Sequence, residues 1–290
     1  METVHTIDWM KQLSRQARLE GRVSGFVPTM GALHDGHLSL VRAALAECRP
    51  VIASIFVNPT QFAVGEDLQK YPRTMEADRQ KLEAAGVDTL FAPEAAEIYP
   101  PGFRTWVNVE GLSERLEGKS RPGHFRGVTT VVLKLLEIVQ PGKAFFGRKD
   151  AQQARLVRQM ARDLHLDTEI IVCPIVREAD GLALSSRNAY LQRDERRAAT
   201  VLYRALDAAR NSIARGERDA PRLTAAMRET LRAEPLADPD YVELVDAETL
   251  EPVTRLRGAC LALVAARFGA TRLIDNLLIE ERDGEFSTNL

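Results

Sequence analysis

Residues 23–38 read Val-Ser-Gly-Phe-Val-Pro-Thr-Met-Gly-Ala-Leu-His-Asp-Gly-His-Leu. The apolar run 23–27 predicts a strand, and the run 38–46 after the histidines predicts a helix. A strand that passes through a glycine-containing turn into a helix directs free backbone N–H groups, and the positive end of the helix dipole, at one place. The stretch is therefore typical of a phosphate-binding site.

His34 and His37 lie in this turn, and Gly36 precedes the second histidine. Two imidazoles at this place supply donors that stabilise negative charge on a phosphoryl group. A pair with this spacing is also common at protein surfaces and helix N-caps, so the pair alone does not establish catalysis. The pattern resembles the His-x-Gly-His signature of the nucleotidylyltransferase superfamily, which breaks ATP between its α- and β-phosphates.

The order of the predicted elements indicates the fold class. Strands and helices alternate as far as residue 176. The predicted strands are 23–27, 51–57, 89–92, 144–146 and 170–176, and the predicted helices are 38–46, 75–85, 128–139 and 151–164. This alternation predicts an α/β fold with a Rossmann-like, doubly wound parallel sheet, in which ligands bind at the carboxyl ends of the strands.

The pattern changes after about residue 180. The predicted helices there are 194–214 and 222–233, and the predicted strands are 240–245, 260–266 and 271–274. We therefore assign residues 1–178 to the Rossmann-like domain and residues 179–290 to a smaller C-terminal α+β domain with antiparallel pairing, with a turn at 179–181 as the linker. The polar tail 280–290 is expected to be disordered.

Composition limits the classes of function. The chain has 290 residues, 45% of them hydrophobic, and a net charge of −2, so no basic field indicates nucleic-acid binding. Cys48, Cys173 and Cys260 lie far apart and form no zinc pattern, which predicts small buried side chains in a reducing cytoplasm. No membrane span and no signal peptide are predicted.

Polar residues follow two other predicted strands. Asn58 and Gln61 supply uncharged amides that suit a substrate with hydroxyls and a carboxylate, although Asn58-Pro59 is also typical of a simple turn. Lys149 precedes a helix, where the helix dipole repels a cation unless it serves an anion. Asp150 either caps that helix or anchors a ribose hydroxyl or an amide, and Gln153 falls on the first helical turn.

Two further segments carry charges or hydroxyls. Ser185, Ser186 and Arg187 suit a triphosphate, because the arginine gives a planar fork, but the same residues also form ordinary exposed loops. The segment 121–127 contributes two arginines and a histidine, and it either holds a carboxylate or phosphate or is only a basic turn.

These blocks, in this order and spacing, resemble the pantoate–β-alanine ligase family over nearly the whole chain. Further matching segments are 71–74, 97–100, 116–118, 121–127 and 272–276. The family often has an acidic residue at the position of Arg148, and we expect the Arg148 side chain to point outward.

The resemblance implies a two-step reaction of pantothenate and coenzyme A biosynthesis. The carboxylate of pantoate attacks the α-phosphorus of Mg-ATP, which gives pantoyl adenylate and pyrophosphate. The amine of β-alanine then attacks the acyl carbon, which gives pantothenate and AMP. The resemblance also suggests a homodimer.

The resemblance assigns roles to residues. The implied catalytic residues, which would surround the phosphates, are His34, His37, Lys149, Ser185, Ser186 and Arg187. The ATP site also includes Met30, Gly31, Ala32, Leu33, Asp35, Gly36, Gly147, Arg148, Asp150, Val176 and Leu184. Gln61, Gln153 and Asn58 would hold pantoate or β-alanine. Mg²⁺ is expected to arrive on the ATP phosphates, with no protein ligand assigned and Asp78 as a weak candidate, and the C-terminal domain is expected to act as a lid.

Three alternatives share parts of this pattern. Another nucleotidyltransferase would use the same His-x-Gly-His turn but would not need amides at Gln61 and Gln153. A class I aminoacyl-tRNA synthetase would need a tRNA-binding extension, and none is evident in the sequence. A non-catalytic nucleotide sensor would show altered phosphate-binding residues. In this sequence those residues are all present: His34, His37, Lys149 and Arg187.

Overall fold

The computed structural model describes residues 1–62 and 67–290. These residues form two compact units, one of residues 1–148 and 152–174 and the other of residues 149–151 and 175–290. No helix in these two described ranges combines the length and the apolar character that crossing a bilayer requires.

The first unit contains a six-stranded parallel sheet with the strand order β1-β4-β3-β2-β5-β6. Its strands are β1 (Glu2–Val4), β2 (Gly25–Thr29), β3 (Val51–Ile55), β4 (Thr89–Phe91), β5 (Lys143–Gly147) and β6 (Glu169–Cys173). The α-helices in this part of the chain are α1 (Ile7–Leu19), α2 (Asp35–Glu47), α3 (Met75–Ala85), α4 (Ala95–Ile98), α5 (Glu117–Ser120), α6 (His124–Val139) and α7 (Ala151–Asp163).

The central strands are covered on both faces. All five residues of β3 are buried, as expected for a parallel sheet with helices on either side. The helix predicted over 75–85 is α3 itself, and Gly86 ends it with a φ of 89° in the left-handed region that glycine favours. The prediction missed β1 and α1. It also began the first strand at Val23, which is exposed, whereas pairing begins at Gly25.

The second unit is built on a four-stranded antiparallel sheet with the order β10-β9-β8-β7. Its strands are β7 (Asp238–Asp246), β8 (Ala259–Phe268), β9 (Thr271–Arg282) and β10 (Glu285–Asn289), and its helices are α8 (Arg193–Ala198), α9 (Val201–Ala214) and α10 (Ala220–Arg232). The parallel sheet and this α+β unit confirm the predicted fold class.

Two predictions for the second unit are wrong. The single helix predicted over 194–214 is divided into α8 and α9 at Ala199 and Thr200. The tail that was expected to be disordered is the end of β9 and all of β10, which pair in antiparallel register. Asp283 and Gly284 join these strands with φ values of 54° and 82°, the conformation of a two-residue hairpin turn.

The three cysteines are free and buried, which confirms the prediction of small buried side chains. Burial raises the pKa of each thiol.

Candidate functional site

The strand order places the histidine motif at the topological switch point of the parallel sheet. β2 pairs with β3 on one side and with β5 on the other, so the direction of the strand order reverses beside it. Ligands bind outside the carboxyl ends of the strands at such a point. Residues 30–37 follow β2, and β5 ends at Gly147, so the two strands that flank this point both lead into predicted ATP-binding residues.

His34 and His37 are held by backbone hydrogen bonds at the start of α2. His34 is the N-cap, and its Nδ1 accepts from the Gly36 N–H over 3.2 Å. His37 Nδ1 accepts from the His34 N–H over 3.4 Å, and the two ring centroids lie 4.1 Å apart. An Nδ1 that accepts a hydrogen bond leaves the proton of a neutral imidazole on Nε2. Both rings therefore carry their donor on Nε2, so the helix-capping role and the phosphate-binding role are compatible.

The loop before the histidines has an unusual backbone. Gly31 and Ala32 have φ values of 84° and 51°, so two consecutive residues lie in the left-handed region. Asp78, which is 0% exposed, accepts hydrogen bonds from the Ala32 and Leu33 N–H groups, each over 2.8 Å. The Thr74 hydroxyl donates to the same carboxylate over 2.9 Å. These three hydrogen bonds give the Asp78 carboxylate a role in holding the loop that leads to the histidines.

The described ranges 1–62 and 67–290 contain no group of three or more His, Cys, Asp or Glu side chains that could hold a metal ion.

Asn58 and Gln61 follow β3, around the short 3-10 helix Pro59–Gln61. Asn58 is 1% exposed, and its Oδ1 accepts from the Thr60 N–H, the Thr60 hydroxyl and the Tyr99 hydroxyl. Its Nδ2 donates to Gln61 Oε1 over 3.1 Å and to the Gly127 carbonyl over 3.2 Å. Asn58 thus fixes the orientation of the Gln61 side-chain amide. The Nε2 atom of that amide lies 3.0 Å from the Met30 sulfur.

Two side chains of the basic segment 121–127 contact the backbone of Gln61. His124 Nδ1 lies 2.8 Å from the Gln61 carbonyl oxygen, and Arg121 donates to that oxygen over 3.4 Å. A carbonyl only accepts and a guanidinium only donates, so the proton of His124 is on Nδ1 and its Nε2 accepts from Arg121 over 3.1 Å. The sequence left two interpretations of this segment open, an anion-binding site or a basic turn. The structure adds a third role, in which His124 and Arg121 fix the backbone of Gln61.

Two side chains near the end of β5 differ from expectation. Arg148 was expected to point outward, but it is only 8% exposed, because the turn after β5 folds it inward. Gln152, which the sequence analysis did not select, is buried and accepts from the Glu117 N–H over 3.0 Å. Its amide nitrogen donates to the Leu112 and Arg115 carbonyls, each over 2.8 Å. Gln153, the predicted substrate residue, is half-buried.

The predicted phosphate-binding residues of the second unit lie on well-anchored backbone. Ser185 caps the 3-10 helix Ser186–Tyr190 and accepts from the Arg187 N–H over 3.3 Å. The Leu184 N–H donates to the Val176 carbonyl over 3.0 Å, which ties this segment to residues 175–177. The Lys149 ammonium lies 4.0 Å from the carboxylate of Asp150.

Asp275 and Asn276 of β9 bind other segments of the second unit. Both lie in the matching segment 272–276, for which the sequence predicted no individual role. Asn276 Nδ2 donates to the Lys149 carbonyl over 3.0 Å. Asp275, which is buried, accepts from both terminal nitrogens of Arg177 over 2.7 and 3.0 Å. No sequence pattern near these residues predicts contacts over such distances along the chain. The only indication in the sequence is that the segment 272–276 matches the family.

Comparison with known proteins supports an assignment to one family. A family model described as pantoate-beta-alanine ligase matches residues 2–278. A pantothenate synthetase of Acidobacterium capsulatum is 60% identical over 265 residues, covering 91% of this chain and 89% of that protein. A pantothenate synthetase of Heliobacterium modesticaldum is 55% identical over 280 residues, covering 97% of this chain and all of that protein (100%).

Solved structures agree with these sequence relatives. The crystal structure of pantothenate synthetase from Thermus thermophilus has a TM-score of 0.90 and 50% identity, and the match covers 95% of this chain and 98% of the other. The crystal structure of a pantoate-β-alanine ligase from Francisella tularensis, complexed with β-γ ATP and β-alanine, has a TM-score of 0.77 and 38% identity, and covers 95% and 97% of the two chains.

Proposed function

This chain belongs to the pantoate–β-alanine ligase family, and from that premise we propose how its residues perform the ATP-dependent joining of pantoate to β-alanine. The observation that carries the proposal is the shared orientation of His34 and His37, which both keep their proton on Nε2. Donors fixed in this way suit a reaction in which negative charge develops on phosphoryl oxygens.

The first step forms pantoyl adenylate. A carboxylate oxygen of pantoate attacks the α-phosphorus of ATP, and the bond from that phosphorus to the bridging oxygen breaks, so pyrophosphate leaves with the electron pair. Such a transfer needs in-line positioning and charge stabilisation more than covalent help from the protein. We assign His34 and His37 to this stabilisation and treat His37 as an electrostatic donor to the leaving pyrophosphate, which does not require a proton.

Residues of the second unit also serve the phosphates in this proposal. Lys149 and Arg187 supply positive charge, and Ser185 and Ser186 supply hydroxyl donors. The residues assigned to the remainder of the ATP site are Met30, Gly31, Ala32, Leu33, Asp35, Gly36, Gly147, Arg148, Asp150, Val176 and Leu184. Mg²⁺ enters as part of the substrate Mg-ATP, where it neutralises phosphate charge.

Pantoate is bound by amides. Because Asn58 donates to Gln61 Oε1, the Gln61 amide offers its nitrogen as a donor, which suits a carboxylate. We assign Gln61 and Gln153 to pantoate, with Gln61 also near β-alanine. Asn58 supports the same site by fixing the orientation of Gln61.

The second step joins the two acids. The β-alanine amine attacks the acyl carbon of the adenylate, which is a mixed anhydride. The bond from that carbon to the phosphate oxygen breaks, so AMP leaves with the oxygen and the electron pair while the amine loses a proton. The adenylate must be protected from water until the amine arrives. We propose that a lid domain of residues 179–290 provides this protection for a nucleotide- and pantoate-binding domain of residues 1–178.

Three further properties belong to this proposal. Free, buried cysteines are consistent with a cytoplasmic location. The small-molecule substrates ATP, pantoate and β-alanine are the expected partners, without nucleic acid or membrane. A homodimer is proposed from the family resemblance.

The first experiment measures AMP and pyrophosphate release from Mg-ATP and pantoate, with and without β-alanine. Sustained AMP release that requires both acids, with pantothenate as the product, supports the proposal. A nucleotidyl product that is retained instead of AMP would assign the chain to another nucleotidyltransferase. Tight ATP binding without any turnover would support a nucleotide sensor.

A further inference from the structure

The peptide group between Leu33 and His34 is held from both ends. On one side, Lys81 Nζ donates to the Leu33 carbonyl oxygen over 2.6 Å. On the other side, the His34 N–H of the same planar peptide donates to His37 Nδ1 over 3.4 Å. The Lys81 ammonium and the His37 ring are therefore linked through a single peptide plane.

The preceding residues of the loop are held by the same helix. Lys81 and Asp78 lie three residues apart on α3, so they project from neighbouring positions on one face. Asp78 accepts from the Ala32 and Leu33 N–H groups, each over 2.8 Å. Together, the two side chains bind three backbone polar groups of two neighbouring residues: the Ala32 N–H, the Leu33 N–H and the Leu33 carbonyl.

These hydrogen bonds, to Asp78 and from Lys81, explain how the loop keeps its conformation. Ala32 has a φ of 51°, which a residue with a side chain adopts only where the surroundings impose it. A side chain at position 31 is also restricted, because a Cβ there would lie 3.1 Å from Asp78 Oδ2. The Thr74 hydroxyl at the start of α3 fixes the carboxylate in turn. The backbone that enters the histidine motif is therefore set by α3.

We propose that Lys81 and Asp78 are positioning residues for the histidine pair, and that Lys81 acts on His37 through the Leu33–His34 peptide. A cation on a carbonyl oxygen polarises the peptide and strengthens its N–H as a donor. The stronger His34 N–H keeps His37 Nδ1 in use as an acceptor, and so keeps the proton of His37 on Nε2. The inference deepens the proposed function, because its effect on turnover requires that His37 serves the phosphates.

Lys81 allows this inference to be tested without disturbing the core. The residue is exposed, whereas Asp78 is fully buried, so Lys81→Met removes the cation at little cost in folding. Lys81→Arg restores a donor and a charge. Lys11→Met, at an exposed position of α1, is the matched control.

The two chemical steps are measured separately. Pyrophosphate release from Mg-ATP and pantoate reports the first step, and pantothenate formation from synthetic pantoyl adenylate and β-alanine reports the second. We expect Lys81→Met to slow the first step about tenfold, with KM values for ATP and pantoate changed less than about twofold and the second step unchanged. Lys81→Arg should recover most of the rate, and Lys11→Met should match the unmodified chain.

The tautomer of His37 provides a readout that does not depend on turnover. Nitrogen NMR of labelled protein distinguishes a ring protonated on Nε2 from one protonated on Nδ1. We expect the Nε2–H form in the unmodified chain and a mixture of forms in Lys81→Met. Asp78→Asn, which places an amide NH2 group against a backbone N–H, should give a larger change, after its folding is checked by circular dichroism.

The outcomes separate the inference from the proposed function. An unchanged first step together with an unchanged His37 spectrum in Lys81→Met overturns the inference. Equal slowing of both steps with a lowered melting temperature also overturns it, because that result indicates a general structural role. If the unmodified chain forms no adenylate, the proposed function fails, and the NMR comparison still decides whether Lys81 acts on His37.

Discussion

Asn58 Nδ2 donates to Gln61 Oε1 over 3.1 Å, and this bond determines which end of the Gln61 amide is left to face a substrate. The orientation of Asn58 is itself fixed, because its Oδ1 accepts from the Thr60 N–H and from the Tyr99 hydroxyl. Burial raises the pKa of Tyr99, so that hydroxyl keeps its proton. A chain of buried groups therefore presents Gln61 as a donor.

Replacing Gln61 by glutamate tests this relationship. Gln61→Glu keeps the side-chain shape and the oxygen that accepts from Asn58, but it replaces the donor by a carboxylate oxygen that repels pantoate. We expect kcat/KM for pantoate to fall at least about a hundredfold, while KM for ATP changes little. Steady-state kinetics with each substrate varied in turn measures both effects.

Gln80→Glu is the control for the added charge, since Gln80 is an exposed residue of α3. Equal effects on pantoate and ATP kinetics in Gln61→Glu would contradict the assignment of this amide to pantoate.

A pair of substitutions at His37 separates its two ring nitrogens. Asparagine places an oxygen near the position of Nδ1 and keeps an acceptor for the His34 N–H, whereas glutamine places its amide nitrogen near the position of Nε2. If the Nε2–H group serves the phosphates, His37→Asn should slow adenylate formation by about 10²–10³-fold, and His37→Gln should retain more activity. Rapid-quench measurement of pyrophosphate compares them. The reverse order of activities would assign the main role to Nδ1.

Gly127→Ala tests the close approach of α6 to the segment that carries Gln61. An added Cβ would lie 2.8 Å from Gln61 Cα and closer still to the Thr60 carbonyl group, so the backbone must move. We expect a loss of about 1–3 kcal/mol in the free energy of unfolding and a rise in KM for pantoate. Denaturant unfolding and substrate kinetics check the two effects.

Gly21→Ala controls for strain alone, because Gly21 has a φ of 68° but nothing lies within 4 Å of an added Cβ. It should lose some stability and keep its KM for pantoate. A Gly127→Ala variant with normal KM would show that the position of Gln61 tolerates displacement.

Asp180 provides a prediction about pH. A hydrogen bond from Arg196, at 2.8 Å, lowers the pKa of the Asp180 carboxyl below its usual value. A carboxyl whose pKa is lower in the folded state stabilises the fold above its unfolded-state pKa, and that contribution is lost as the pH falls through the folded-state value. At neutral pH we expect Asp180→Asn to be less stable by at most about 1 kcal/mol, because the pair is partly exposed.

The stability difference should shrink below about pH 4 and vanish in stronger acid. Urea unfolding at neutral and acidic pH measures it. Asp194→Asn is the control, since Asp194 lies 4.0 Å from Arg197 in a highly exposed pair. A difference that grows as the pH falls would contradict the role of the ionised Asp180.

The parts of the site that the sequence predicts are those whose residues are local to one another. The strand, turn and helix around His34 occupy one short stretch, so spacing alone indicates their arrangement. The α3 residue Asp78 lies 46 positions from Ala32, and His124 lies 63 positions from Gln61. Neither contact has a periodic signal, because each depends on how distant elements pack.

The errors in the predicted fold have similar causes. β1 has three residues and gains its partner from β4, so it carries almost no pattern of its own. The polarity of the tail suggests disorder, although Asp283-Gly284 is a typical hairpin turn and Phe286 packs against the apolar core. The charge of Arg148 suggests exposure, whereas the turn after β5 decides its burial.

The pairing of β1 with β4 also sets an order for events during synthesis of the chain. Glu2 is synthesised well before Thr89, its partner in the sheet. The N-terminal strand must therefore wait, unpaired, until the residues of β2, β3 and β4 have been made. β2 likewise awaits β5 for its second neighbour, so the sheet is completed from its middle outwards, once β6 has been made. A nascent chain paused before β4 would expose an unfilled sheet edge to cellular chaperones.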